Sequence, residues 1–112
     1  MKTKIISYNN KKIEICIEDK QKGRSFDKIK TPKRWKLWTH QMCIDLHNDK
    51  GLRKILNLEL CSFWIAQFFE FNKENGRVAW FLVCPGGVGF SCFEVPQYSL
   101  DGLGVRFWRE VK

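Results

Sequence analysis

The chain has 112 residues, 44% of them apolar and 14% aromatic, with 20 Lys and Arg against 12 Asp and Glu. That size fits one domain over residues 1–112 that buries roughly two thirds of its unfolded surface, and the apolar content argues against disorder. No run nears the ~20 apolar residues of a membrane span, and the basic start MKTK leads into no apolar stretch long enough for a secretion signal; a cytoplasmic protein with no membrane association is expected.

The positive charge is concentrated. Residues 1–36 carry twelve Lys and Arg against Glu14, Glu18, Asp19 and Asp27, whereas the remainder carries eight of each sign. A local positive potential of that kind draws anionic surfaces. Cys16, Cys43, Cys61, Cys84 and Cys92 are odd in number and lack CxxC spacing, which predicts free core thiols in a reducing compartment.

Two strands, Lys4–Tyr8 and Lys11–Glu18, are predicted around Asn9–Asn10, because asparagine tolerates the positive φ of a two-residue hairpin turn. That turn sets Ile6 opposite Ile13 and lines Ile13, Ile15 and Ile17 on one side. Asp19–Lys30, with Gly23 and Ser25, reads as a loop anchored by Phe26. Thr31 as N-cap and Pro32 as first helical residue predict the start of the main helix, and Gly51 its end. On that helix Trp35, Trp38, Met42 and Leu46 form the core stripe. Leu37 and Ile44 lie nearly opposite, beside His40, Cys43 and His47. A helix apolar on two sides is either sandwiched between layers or meets a partner.

Leu52–Phe71 mixes helical spacing (Leu52, Ile55, Leu56, Leu60) with strand spacing (Phe63, Ile65, Phe69, Phe71). A short helical turn to about Leu56 and a strand through Phe71 are expected. Asn72–Gly76 reads as a hairpin loop, Val78–Cys84 as a central strand apolar on both faces, and Pro85–Gly87 as a turn. Val88–Val95 is the next strand, Pro96–Gly102 a loop and Leu103–Val111 the last strand. The expected fold class is therefore α+β: an N-terminal β-hairpin, one main amphipathic helix, then an antiparallel sheet of about four strands packed on the helix.

Three groupings bear on chemistry. His40, Cys43 and His47 recur at i, i+3 and i+7 and are zinc-ligand types, but they supply three ligands where a closed site takes four, so no metal or other cofactor is assigned. Cys43 beside His47 has the residue types of an activated nucleophile, yet it lies three turns from the positive end of the predicted helix, and no catalytic residue is assigned. PGGVG at 85–89 lacks the GK[ST] ending of a phosphate loop and reads as a tight turn.

The basic segment Lys20–Lys36 holds eight cations and one acid, with Lys33, Arg34 and Lys36 in the predicted first helical turn. Cations there oppose the helix dipole by roughly a few tenths of a kcal/mol each, and a bound anion would reverse that cost. The candidate partner-binding residues are Lys30, Lys33, Arg34, Lys36, Leu37, Trp38, His40, Ile44 and His47. These features favour a non-enzymatic, stoichiometric inhibitor of the immunity or antitoxin type, which neutralises a partner toxin or enzyme presenting an acidic patch. The alternative is a basic nucleic-acid (RNA) binding module, with Trp35, Trp38 and Phe26 available for stacking. A third reading makes His40 and His47 the acid and base of a small metal-independent ribonuclease.

Overall fold

The computed structural model describes residues 1–68 and 70–112. The architecture is α+β, with the predicted N-terminal hairpin and two four-stranded sheets. In the hairpin, β1 (Thr3–Tyr8) and β2 (Lys11–Cys16) pair antiparallel with Ile6 opposite Ile13. Asn9 and Asn10 take φ of 50° and 64°, the left-handed pair that a two-residue turn between right-twisted strands requires. The sheet continues through β8 (Phe107–Glu110) to β3 (Lys36–Leu37), in the order β1-β2-β8-β3. The second sheet runs β6 (Gly87–Glu94), β5 (Val78–Cys84), β4 (Cys61–Ile65) and β7 (Gly104–Val105), with β7 parallel to β4 and the other pairs antiparallel.

Four expected boundaries move. The main helix, α1, spans His40–Asn48, with Thr39 Oγ1 accepting from the Met42 amide at 3.1 Å. Thr31–Pro32 does not open it: Arg34 sits at φ 73°, and Lys36–Leu37 is drawn into β3 opposite Trp108 and Phe107. Gly51 does not close it either. Asp49 leaves the helical region at ψ 112° and caps α2 (Lys50–Ile55), its carboxylate accepting from Leu52 N at 3.0 Å. β4 stops at Ile65, Phe69 lies outside the described residues, and α3 (Glu70–Glu74) stands where a hairpin loop was expected. Finally, Leu103–Val111 is not one strand; it breaks at Arg106 into β7 and β8, which belong to different sheets.

The main core gathers Ile13 and Ile15 of β2, Met42 and Leu46 of α1, and Phe63, Ile65, Phe81 and Val83 of the second sheet around Trp38. Burying side chains of this size stabilises by about 1.5–3 kcal/mol each. A smaller cluster around Trp64, Val78 and Leu103 takes in Phe26, whose ring meets Trp64 edge-on at 5.9 Å. Phe26 thus anchors the long loop to the body, as its isolation in a polar stretch suggests.

Arg106 joins the two sheets. Its guanidinium bonds the Asp19 carboxylate (2.8 Å), Leu56 O (2.8 Å) and Asn57 O (3.0 Å), and lies 5.1 Å from the centre of the Phe63 ring. The other Asp19 oxygen accepts from Ser62 N at 3.3 Å. A buried arginine thereby satisfies the carbonyls at the end of α2 and holds the start of the long loop against the strand switch.

Candidate protein-docking face

Of the nine candidate partner-binding residues, eight are exposed or half-buried and Trp38 is enclosed. Lys30, Lys33, Arg34 and Lys36 are exposed, but none of them belongs to a helix. The expected anion site at a helix start therefore does not form from these cations. Instead the segment lies against the first sheet, with Arg109 4.4 Å over the Trp35 ring and Lys36 5.3 Å over Trp108. Trp35 accordingly stands outside the helical core stripe. Other cations of the N-terminal third pair within the chain, Lys11 with Glu110 (3.1 Å) and Lys20 with Glu18 (3.4 Å).

Trp38 is fully buried, packed edge-on against Phe63 at 5.0 Å, so it has no surface to offer a partner. Leu37, His40, Ile44 and His47 are half-buried. His40 stacks on Phe68 with centroids 4.2 Å apart, and His47 meets Phe81 edge-on at 6.0 Å. Seven positions separate the two histidines, about 10.5 Å of helix rise. Burial, then the Arg53 charge, depresses the His47 pKa. Cys43 between them is wholly enclosed, and burial pushes its thiol well up, which opposes thiolate chemistry. Burial likewise raises the Cys61 thiol to about 12. Among the described residues no three His, Cys, Asp or Glu side chains gather as a metal site.

A different surface has the makings of an interface. It forms where α2 meets the β5–β6 hairpin, and it consists of two adjoining clefts that share Cys84, Gly87 and Val88. The first, about 450 Å³, is walled by His47, Lys50, Arg53 and Lys54, with Glu59 on its rim. Arg53 Nε donates to His47 O at 2.6 Å, which fixes the guanidinium beside the helix end. Among the described residues none of these three cations has a carboxylate within ion-pair distance. Arg53 and Lys54 in the last turn suit the helix dipole, but three like charges on so short a helix repel one another.

The second cleft, about 430 Å³, lies over the outer face of the hairpin between Trp80, Leu82, Gly87, Gly89 and Ser91. It exists because β6 presents only small residues there: Gly87, Gly89 and Ser91 stand opposite Cys84, Leu82 and Trp80. A Cβ added at Gly89 would meet nothing within 4 Å. Val88 (54% exposed) lines both clefts and Leu82 (36%) the second, while Ile55 (51%) and Leu60 (70%) are exposed at the end of α2 and just after it. Exposed apolar side chains beside charge are the mark of an interaction surface.

The sequence reading missed this face because residues 37–112 balance in charge, which hides three cations within five positions. The available signal was Lys50, Arg53 and Lys54 beside Ile55 and Leu60, in a stretch where helical and strand spacing overlap. Among known proteins, no family model matches this chain, and no curated protein or solved structure is significantly similar to it.

Proposed function

We propose that the chain is a non-enzymatic, stoichiometric binding protein of the inhibitor type, which covers an acidic surface of a partner protein through α2 and the β5–β6 hairpin. The observation that carries this reading is the cleft in which exposed Val88 faces Lys50, Arg53 and Lys54, cations with no carboxylate within ion-pair distance among the described residues, with Ile55, Leu60 and Leu82 exposed on the same two elements or next to them. Apolar centres supply affinity, and an uncompensated cationic wall supplies steering and selectivity for carboxylates. A basic inhibitor needs either an acidic target or a largely neutral plug. This face combines the two, since the hairpin is apolar and the charge sits at its side. The enclosed Cys43 thiol and the separated histidines favour binding over catalysis. All five cysteines are free, which fits a reducing compartment.

The test is capture of a one-to-one protein complex from the native host, followed by charge reversal. Lys50→Glu/Arg53→Glu/Lys54→Glu and, separately, Val88→Asp should abolish capture, whereas Lys33→Glu/Arg34→Glu/Lys36→Glu should leave it. Nuclease treatment should change nothing. If nucleic acid is the captured species, or the reversal at 33–36 alone is fatal, the proposal fails.

A further inference from the structure

We infer that the outer edge of β6 at Val88–Phe90 is a self-pairing interface, at which a second copy of this chain adds its own β6 in antiparallel register. β6 is the outermost strand of its sheet, and among the described residues it pairs only with β5. Cys84 opposite Gly87 across the Pro85–Gly86 turn fixes the alternation of its backbone groups. Gly87, Gly89 and Ser91 turn N–H and C=O toward β5, which leaves those of Val88 and Phe90 pointing outward.

Small proteins blunt such an edge with lysine, proline, a bulge or extreme shortness. The other edges of this fold follow that rule: β1 carries Lys4, while β3 and β7 have two residues each. β6 does not. GVGFSCFE holds no lysine and no proline, its one charge is the terminal Glu94, and its register shift lies beyond Ser91, past the Val88–Phe90 stretch.

A two-fold axis through Gly89 makes this edge complementary to itself. Val88 of each copy then meets Phe90 of the other, so four hydrogen bonds form from the outward groups alone. Gly89 faces Gly89 at the closer antiparallel spacing of about 4.5 Å, where the absent side chain removes any obstruction. The seam borders the proposed docking face at Val88; a second copy and an acidic partner are alternative occupants of that border.

Sedimentation equilibrium of the purified full chain tests the inference without any partner. The mass should rise from 13.3 kDa toward twice that value between micromolar and submillimolar concentration. Val88→Pro removes an outward N–H that the β5 ladder does not use, and should weaken the dimer about tenfold or more. Should Val88→Pro fail to fold, amide exchange in the unaltered chain decides: the Val88 and Phe90 amides should gain protection as concentration rises. A mass of 13.3 kDa throughout, or a dimer indifferent to Val88→Pro, overturns the inference and leaves the partner reading intact.

Discussion

Replacing Arg106 with methionine should remove a large share of the protein's stability, and the size of that loss follows from what the guanidinium touches. The Arg106 side chain is 2% exposed and its Asp19 partner 11%, so neither charge is solvated by water in the folded state. Methionine fills much of the volume and keeps contact with Phe63, but it leaves Asp19 with the Ser62 amide alone and strips the donors from Leu56 O and Asn57 O. Breaking a buried pair from one side costs about 3–5 kcal/mol, a third or more of the total for a typical domain. At a urea dependence of about 2 kcal/mol per molar, the midpoint should fall by roughly 2 M. Urea denaturation followed by tryptophan fluorescence measures it. The double substitution Arg106→Met/Asp19→Asn should lose less than the two single losses added together, because no buried charge is then left uncompensated. A loss below about 1 kcal/mol for Arg106→Met would refute the assignment of Arg106 as the joint between the sheets.

Thr39→Ala should cost about 1 kcal/mol by uncapping α1, while Thr31→Ala should stay within about 0.5 kcal/mol; equal losses at both positions would contradict the observed helix start. Gly104→Ala should destabilise by about 1–3 kcal/mol, since its Cβ would sit 2.7 Å from Lys20 O, and an unchanged melting temperature would deny that approach. Tyr8 donates to Asp45 at 2.6 Å, and burial, then the Asp45 bond, pushes its pKa from 10.0 to about 12. Because the folded value is raised, this contribution is complete below pH 10 and is lost as pH climbs toward 12. The stability gap between the unaltered chain and Tyr8→Phe should therefore be steady from pH 7 to 9 and shrink above 10, and a gap that stays constant across that range counts against the bond.

What the sequence disclosed followed the range of the interaction responsible. The β1–β2 hairpin is legible because Asn9–Asn10 and three alternating isoleucines settle it within a dozen residues. The helix start is not, since Thr31–Pro32 is a sound local signal overruled by Trp108 and Phe107, which pair with Lys36 and Leu37 from the far end of the chain. The strand switch at Arg106 is equally hidden: an arginine inside LGVRFW reads as a strand residue until Asp19, 87 positions earlier, is seen beside it. The basic segment at 20–36 was conspicuous as composition, yet its cations spread over the first sheet and onto aromatic rings. The face at α2 is compositionally quiet and becomes a site only when the β5–β6 hairpin folds beside it.

Zero-length carbodiimide coupling of the captured complex tests the partner reading most directly, because that reagent joins a lysine only to a carboxylate in immediate contact. Coupling should link Lys50 and Lys54 to Asp or Glu of the bound protein and spare Lys30, Lys33 and Lys36. Links confined to the 30–36 segment, or a complex that couples nowhere on α2, would contradict the docking face.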